Sequence, residues 1–225
     1  MNDSRKYKPP QRSKADEAHA LAKAGISGVP VVGGPLTELF QRIVQPPLDK
    51  RRDAWMHEVA AGLLALENKG LDLSGLQQNE EFISAVMHAS QAALRTHQTE
   101  KLQALRNAII NIASGAGPEE TTQYLLLGYV DELTEMHLRL LKAAQAPTPP
   151  PTMSMGGLGT VLVHCVPQLQ GKTDLLGQLW RGLHDRGLVV SERLNMTISG
   201  SSLSERQTTG LGNQLLELIE AQPLA

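Results

Sequence analysis

The chain has 225 residues, 41% of them apolar, with 21 basic residues against 23 acidic ones and a formal charge of −2. That is enough apolar content for a substantial core, and the near-neutral balance excludes a general attraction to nucleic acid or acidic lipid. Cys165 is the only cysteine, so no internal disulfide forms, and a mere seven aromatic residues favour closely packed helices of Leu, Ala, Val and Ile over an aromatic-rich sandwich.

Residues 1–13 carry Arg5, Lys6, Lys8 and Arg12 against the single acid Asp3, and they read as a mobile basic arm. No charged-then-apolar secretory pattern follows, so the cytoplasm is the expected location. Short helices are expected at Ala15–Lys23 and Leu36–Val44. Between them, Ala24–Thr37 is 14 residues without a charge, short of the roughly 20 needed to span a bilayer, and it contains Pro30 and Pro35. It reads as a helix-breaking loop, and stable membrane insertion is disfavoured.

Pro47 suits a helix start, and Leu48, Trp55, Val59, Leu63 and Leu66 recur at helical spacing until Gly70, which can take the left-handed cap. Asn79 caps the next helix, with Glu80 and Glu81 in its first turn. Ile83, Met87, Leu94, Leu102, Leu105, Ile109 and Ile112 then predict a buried stripe, broken by polar residues around 97–101. Another helix starts near Gly117–Glu120 and buries Leu126, Val130 and Leu133. Thr134 caps a final one containing Met136, Leu140 and Leu141.

The Pro-rich run at 147–151 and Gly156-Gly157 mark a linker over 147–157. Beyond it, Leu158, Val161, Leu162, Cys165, Val166 and Leu169 argue for one helix. Thr173 caps another, with Leu175, Leu176, Leu179, Trp180 and Leu183 inward and Gly187 at its end. Short strands at Leu188–Val190 and Leu194–Ile198 precede a last helix with Leu211, Leu215, Leu218 and Ile219. This is the element order of a winged helix. The fold expected is therefore mainly α: a helical bundle over 14–146 and a small winged-helix-like α+β domain over 158–225.

Motifs with catalytic specificity are lacking. Val166–Thr173 approaches a P-loop, but Val166 stands where glycine must let backbone amides wrap phosphate, and no parallel sheet follows. Seven histidines raise a metal reading, yet Glu-x-x-His and His-Glu-x-x-His are both absent, so neither metal nor cofactor is expected. Ser201, Ser202 and Ser204 lack nucleophile-elbow geometry. A non-enzyme is expected.

The polar set around the stripe's break reads first as a solvated face. Its functional alternative is a partner-docking patch of Arg95, His97, Lys101, Arg106 and His137. For nucleic acid, the candidates are Gln178, Arg181, Arg186, Arg193 and Arg206. Five basic residues against six acids from Gly171 onward count against duplex binding, which needs clustered cations. A protein partner or self-association is preferred.

Pro46-Pro47-Leu48 with Trp55, Asn79-Glu-x-Phe82, Thr96 through Asn107, and Leu133-Thr-x-x-His137 together resemble uncharacterised bacterial helical proteins with a winged-helix-like tail. The tail of that set ends in a Thr-Thr-x-Leu-Gly segment, here Thr208–Gly212. In helix order the chain is also similar to abortive-infection alpha proteins associated with phage exclusion. The resemblance implies an interaction protein in phage defence or stress response, with a transcription regulator as the alternative, and it brings no catalytic residues.

Overall fold

The computed structural model describes residues 41–194 and 197–221. The basic arm, the Ala15–Lys23 helix, the loop at 24–37 and most of the Leu36–Val44 helix lie outside the described residues. The chain divides into Met1–Asp49 and Lys50–Ala225.

The described chain is mainly helical, and from Lys50 onward one buried apolar cluster runs through it. The first helix, α1 (Gln45–Asn68), places Trp55, Val59 and Leu66 in that core. Gly70 closes it with φ +91°, and the Leu71 amide donates back to the Leu66 carbonyl at 3.2 Å. Gly70 thus adopts the left-handed cap expected of it, because a Cβ would be strained at that φ.

Asn79 caps α2 (Glu80–Arg95), its Oδ1 accepting from the Phe82 amide at 3.0 Å. The inward face of α2 is Phe82, Ala85, Ala89, Ala92 and Ala93, whereas Ile83 and Met87 of the expected stripe are exposed. The larger apolar side chains define the expected stripe. The structure instead buries the small ones, which let α3 (Thr99–Ala113) pack closely against α2.

Helix α4 (Glu120–Glu132) is capped by Glu119, whose carboxylate accepts from the Thr121 and Thr122 amides at 2.9 and 2.8 Å. Leu126, Val130 and Leu133 are buried as expected. Helix α5 (Glu135–Gln145) buries Leu138, Leu140, Leu141 and Ala144.

The 147–157 segment is not wholly linker. Met155–Gly157 forms β1, which pairs antiparallel with β2 (Thr197–Ser199) in the register Met155 to Ser199, Gly156 to Ile198 and Gly157 to Thr197. Helix α6 (Leu158–Cys165) stops before Val166, and a 3-10 turn at Pro167–Leu169 carries Leu169 into the core. The single expected helix is thus two elements, because Pro167 cannot donate to the preceding turn. Helix α7 (Thr173–Asp185) begins at Thr173 without a side-chain cap bond from Lys172, so Thr173 is its first helical residue and not its cap. Leu176, Leu179, Trp180 and Leu183 are inward as expected, but Leu175 is exposed.

Of the two strands expected after α7, Val189 makes only an isolated antiparallel bridge to Thr208. The second runs at 197–199 and pairs with β1. Helix α8 (Gly210–Ile219) then packs against both α3 and α5. The last helix of the expected C-terminal module is therefore part of the bundle, and Lys50–Ala225 is one compact unit without a division at 147–157.

Candidate functional site

Two of the polar residues singled out in the sequence, Arg95 and Lys101, lie where α2, α3 and α4 meet. A break at 96–98 separates α2 from α3, and the Gln98 amide donates to Thr96 Oγ1 at 3.1 Å. That turn brings Arg95 and Lys101 to one partner: Arg95 pairs with the Asp131 carboxylate and Lys101 Nζ donates to the Asp131 carbonyl near the end of α4. Lys101 is almost wholly buried. Burial holds its ammonium below the usual lysine range, opposed by Asp131 and reinforced by Arg95.

One turn away, Arg139 bonds Glu100 through Nε at 2.8 Å and Glu135 at 2.5 Å. Gln98 Oε1 accepts from the Glu135 amide at 3.3 Å. These bonds tie the α2–α3 turn to the start of α5.

His137 sits in the first turn of α5, where its Nδ1 accepts from the Thr134 amide at 3.2 Å and lies 2.8 Å from Thr134 Oγ1. An Nδ1 that accepts leaves the ring proton on Nε2. Nε2 faces Gly182 on α7, close enough that a Cβ there would come within 3.0 Å of it. Burial first, and the Arg186 charge second, push the His137 pKa below its usual value. Arg186 donates to the Gly182 carbonyl at 2.9 Å and to Glu132 at 2.8 Å, and its guanidinium lies 6.0 Å from the Tyr129 ring centre.

The structure thus brings Arg95 and Lys101 together and puts His137 at the α5–α7 contact. Arg106 stands apart, reaching α1 with Nε 3.2 Å from the Glu58 carbonyl, and His97 is exposed in the turn. Among the nucleic-acid candidates, Arg186 faces the bundle through Glu132 while Gln178, Arg181, Arg193 and Arg206 are exposed. Arg181 lies 3.8 Å from Glu192, and Asp174 and Asp185 are exposed on the same helix.

Other motif residues have local structural tasks. Thr209 caps α8, accepting from the Gly212 amide at 3.0 Å and donating to the Gly187 carbonyl at 2.5 Å. Thr208 Oγ1 bonds Asn213 Oδ1 at 2.6 Å. Gly212 is required by close approach, since a Cβ there would lie 2.1 Å from the Leu188 carbonyl oxygen.

Sequence reasoning missed Asn111, Asp131 and Arg139. Asn111 had a readable signal: an amide between Ile110 and Ile112 on a helix with an apolar face needs a buried partner. Among the described residues no three His, Cys, Asp or Glu side chains group as a metal site, and no helix is long and apolar enough to cross a membrane. Comparison with family models, with curated proteins and with solved structures returns no match.

Proposed function

We propose that this chain is a non-enzymatic bacterial interaction or adaptor protein of the cytoplasm, a helical scaffold that docks another protein or a second copy of itself. The observation that carries the reading is the distribution of side chains. The polar groups at the helix junction bond one another, while large apolar groups stand in solvent on the outer faces of α2 and α4. Met87 is 57% and Tyr124 68% exposed, and the Tyr124 ring packs edge-on against His88 at 5.3 Å between centroids. Met and Tyr are side-chain types enriched at protein interfaces.

A winged-helix-like reading of the C-terminal half belongs to the same proposal. Its support is the order α5, β1, α6, α7 and β2, with β1 antiparallel to β2. Against a conventional wing, Leu188–Val190 bonds to residues 207–209, with the Val190 amide donating to Gln207 at 2.9 Å. The exposed Gln178 and Arg181 on α7 favour the second reading, a DNA-binding regulator. By the resemblance, the process is phage defence or stress response.

Sedimentation of wild type and of the paired variant Met87→Ser, Tyr124→Ser, alongside a salt titration on random and genomic DNA, tests the assignment. Self-association lost in the double variant, with DNA binding weak and non-selective, is the expected result. A monomer that binds DNA sequence-selectively, and loses that binding on Arg181→Ala, replaces the adaptor with the regulator.

A further inference from the structure

A cleft of about 310 Å³ opens between α1, the end of α2 and the first turns of α3. Trp55, Ala93 and Leu102 give it an apolar lining. The Trp55 ring is fixed, because its Nε1 donates to Ser90 Oγ at 2.9 Å on α2. Thr96, whose Oγ1 accepts from the Gln98 amide, and Thr99 also line it.

The charges at the rim differ in how they are partnered. Arg106 and Glu58 answer each other, with Nε 3.6 Å from the carboxylate. Arg51 is exposed, and its guanidinium has no hydrogen-bond or ion-pair partner among the described residues. An apolar recess with one uncommitted cation at its edge is complementary to a flat apolar body bearing a single negative group. Small-molecule sites span about 300 to 1,000 Å³, so this one suits a single fused-ring body and not a nucleotide.

We propose that this cleft is a binding site for a small aromatic carboxylate. The ring system lies on Leu102 beside the Trp55 edge, and the carboxylate pairs with Arg51. The site is separate from the outer faces of α2 and α4, so its test does not depend on the docking role.

The experiment is calorimetric titration of the full chain with 1-naphthoate, and with neutral 1-naphthamide as the uncharged control. Two variants at exposed rim positions, Arg51→Glu and Gln103→Phe, accompany wild type, and circular dichroism checks that each is folded. Wild type binds naphthoate saturably and at least tenfold more tightly than the amide. Arg51→Glu removes that preference while leaving amide binding in place, and Gln103→Phe, which fills the recess, abolishes both. Absence of saturable heat with wild type overturns the proposal. So does naphthoate binding that both folded variants retain, or an Arg51→Glu change that weakens acid and amide equally.

Discussion

Asn111, buried on α3, donates through its side-chain amide to the Leu218 carbonyl at 2.7 Å, at the end of α8. The same nitrogen lies 3.2 Å from the Glu217 carbonyl and 2.9 Å from that of Glu220, and Asn107 donates to Ile219 at 2.9 Å. The last carbonyls of a helix have no partner within it. Here two asparagines on another helix supply the donors, which fixes both the position and the end of α8.

Replacing Asn111 by alanine therefore removes the donor from the buried Leu218 carbonyl, at a cost of about 1 to 3 kcal/mol. Hydrogen exchange should accelerate first in α8, with α2 and α4 little changed. Uniform acceleration across all helices would show that Asn111 supports the whole core and not one helix end.

Much of this architecture was legible where the signal is local. Asn79, Gly70 and Thr134 mark helix ends because capping depends on a few neighbouring residues. The buried face of α2 was misread because alanine is weak evidence for burial on its own, and only the closeness of α3 explains why Ala89 and Ala92 are inside while Met87 is out. Strand β1 was hidden for a similar reason: Gly156 and Gly157 carry no alternating pattern, and their pairing is set by β2 some forty residues on. At the junction, Arg95 and Lys101 were visible as polar, but their partner Asp131 is brought up by the fold and by nothing in their own stretch of chain.

Trp55 and Trp180 occupy different parts of the shared core, and Trp180 is fully buried with Nε1 2.7 Å from the Ser191 carbonyl. Truncating either to alanine should cost about 3 to 5 kcal/mol, from lost burial and the cavity left behind. Because the core is continuous, each variant should unfold in a single transition in urea. Two separated transitions for Trp180→Ala would mean that the two halves unfold independently.

His137 makes stability depend on pH. Its pKa in the folded protein is held below the unfolded value of about 6.5, so the fold prefers the neutral ring. The stabilisation is complete above about pH 6.5 and declines as the pH falls below it, because the unfolded chain then takes up the proton more readily. Protonation also removes Nδ1 as an acceptor for the Thr134 amide and sets a second cation near Arg186. Glu132 at the end of α4, which pairs with Arg186 at 2.8 Å, is the acid that limits this repulsion, while Asp185 lies by His184 and Glu135 is taken up by Arg139. Urea midpoints of wild type and His137→Gln should therefore diverge in slope between pH 7 and pH 5, with the variant flatter. Parallel slopes would assign the acid sensitivity to carboxylates elsewhere.

The exposed turn at Pro151–Ser154 should be the place where limited proteolysis first cuts within Lys50–Ala225. A cut there should not release the C-terminal half. Helix α8 lies against α3 and α5, α7 packs on α5, and the Gln207 amide donates to the Ala144 carbonyl at 2.8 Å. These contacts cross the cut and belong to one buried cluster, so the two fragments should elute together under native conditions and separate only in denaturant. Adding Asn111→Ala, which weakens the α3–α8 attachment without touching the turn, should let the nicked fragments part at lower urea than in the nicked wild type. Fragments that separate from nicked wild-type protein without denaturant would show instead that 147–157 joins two independently stable domains.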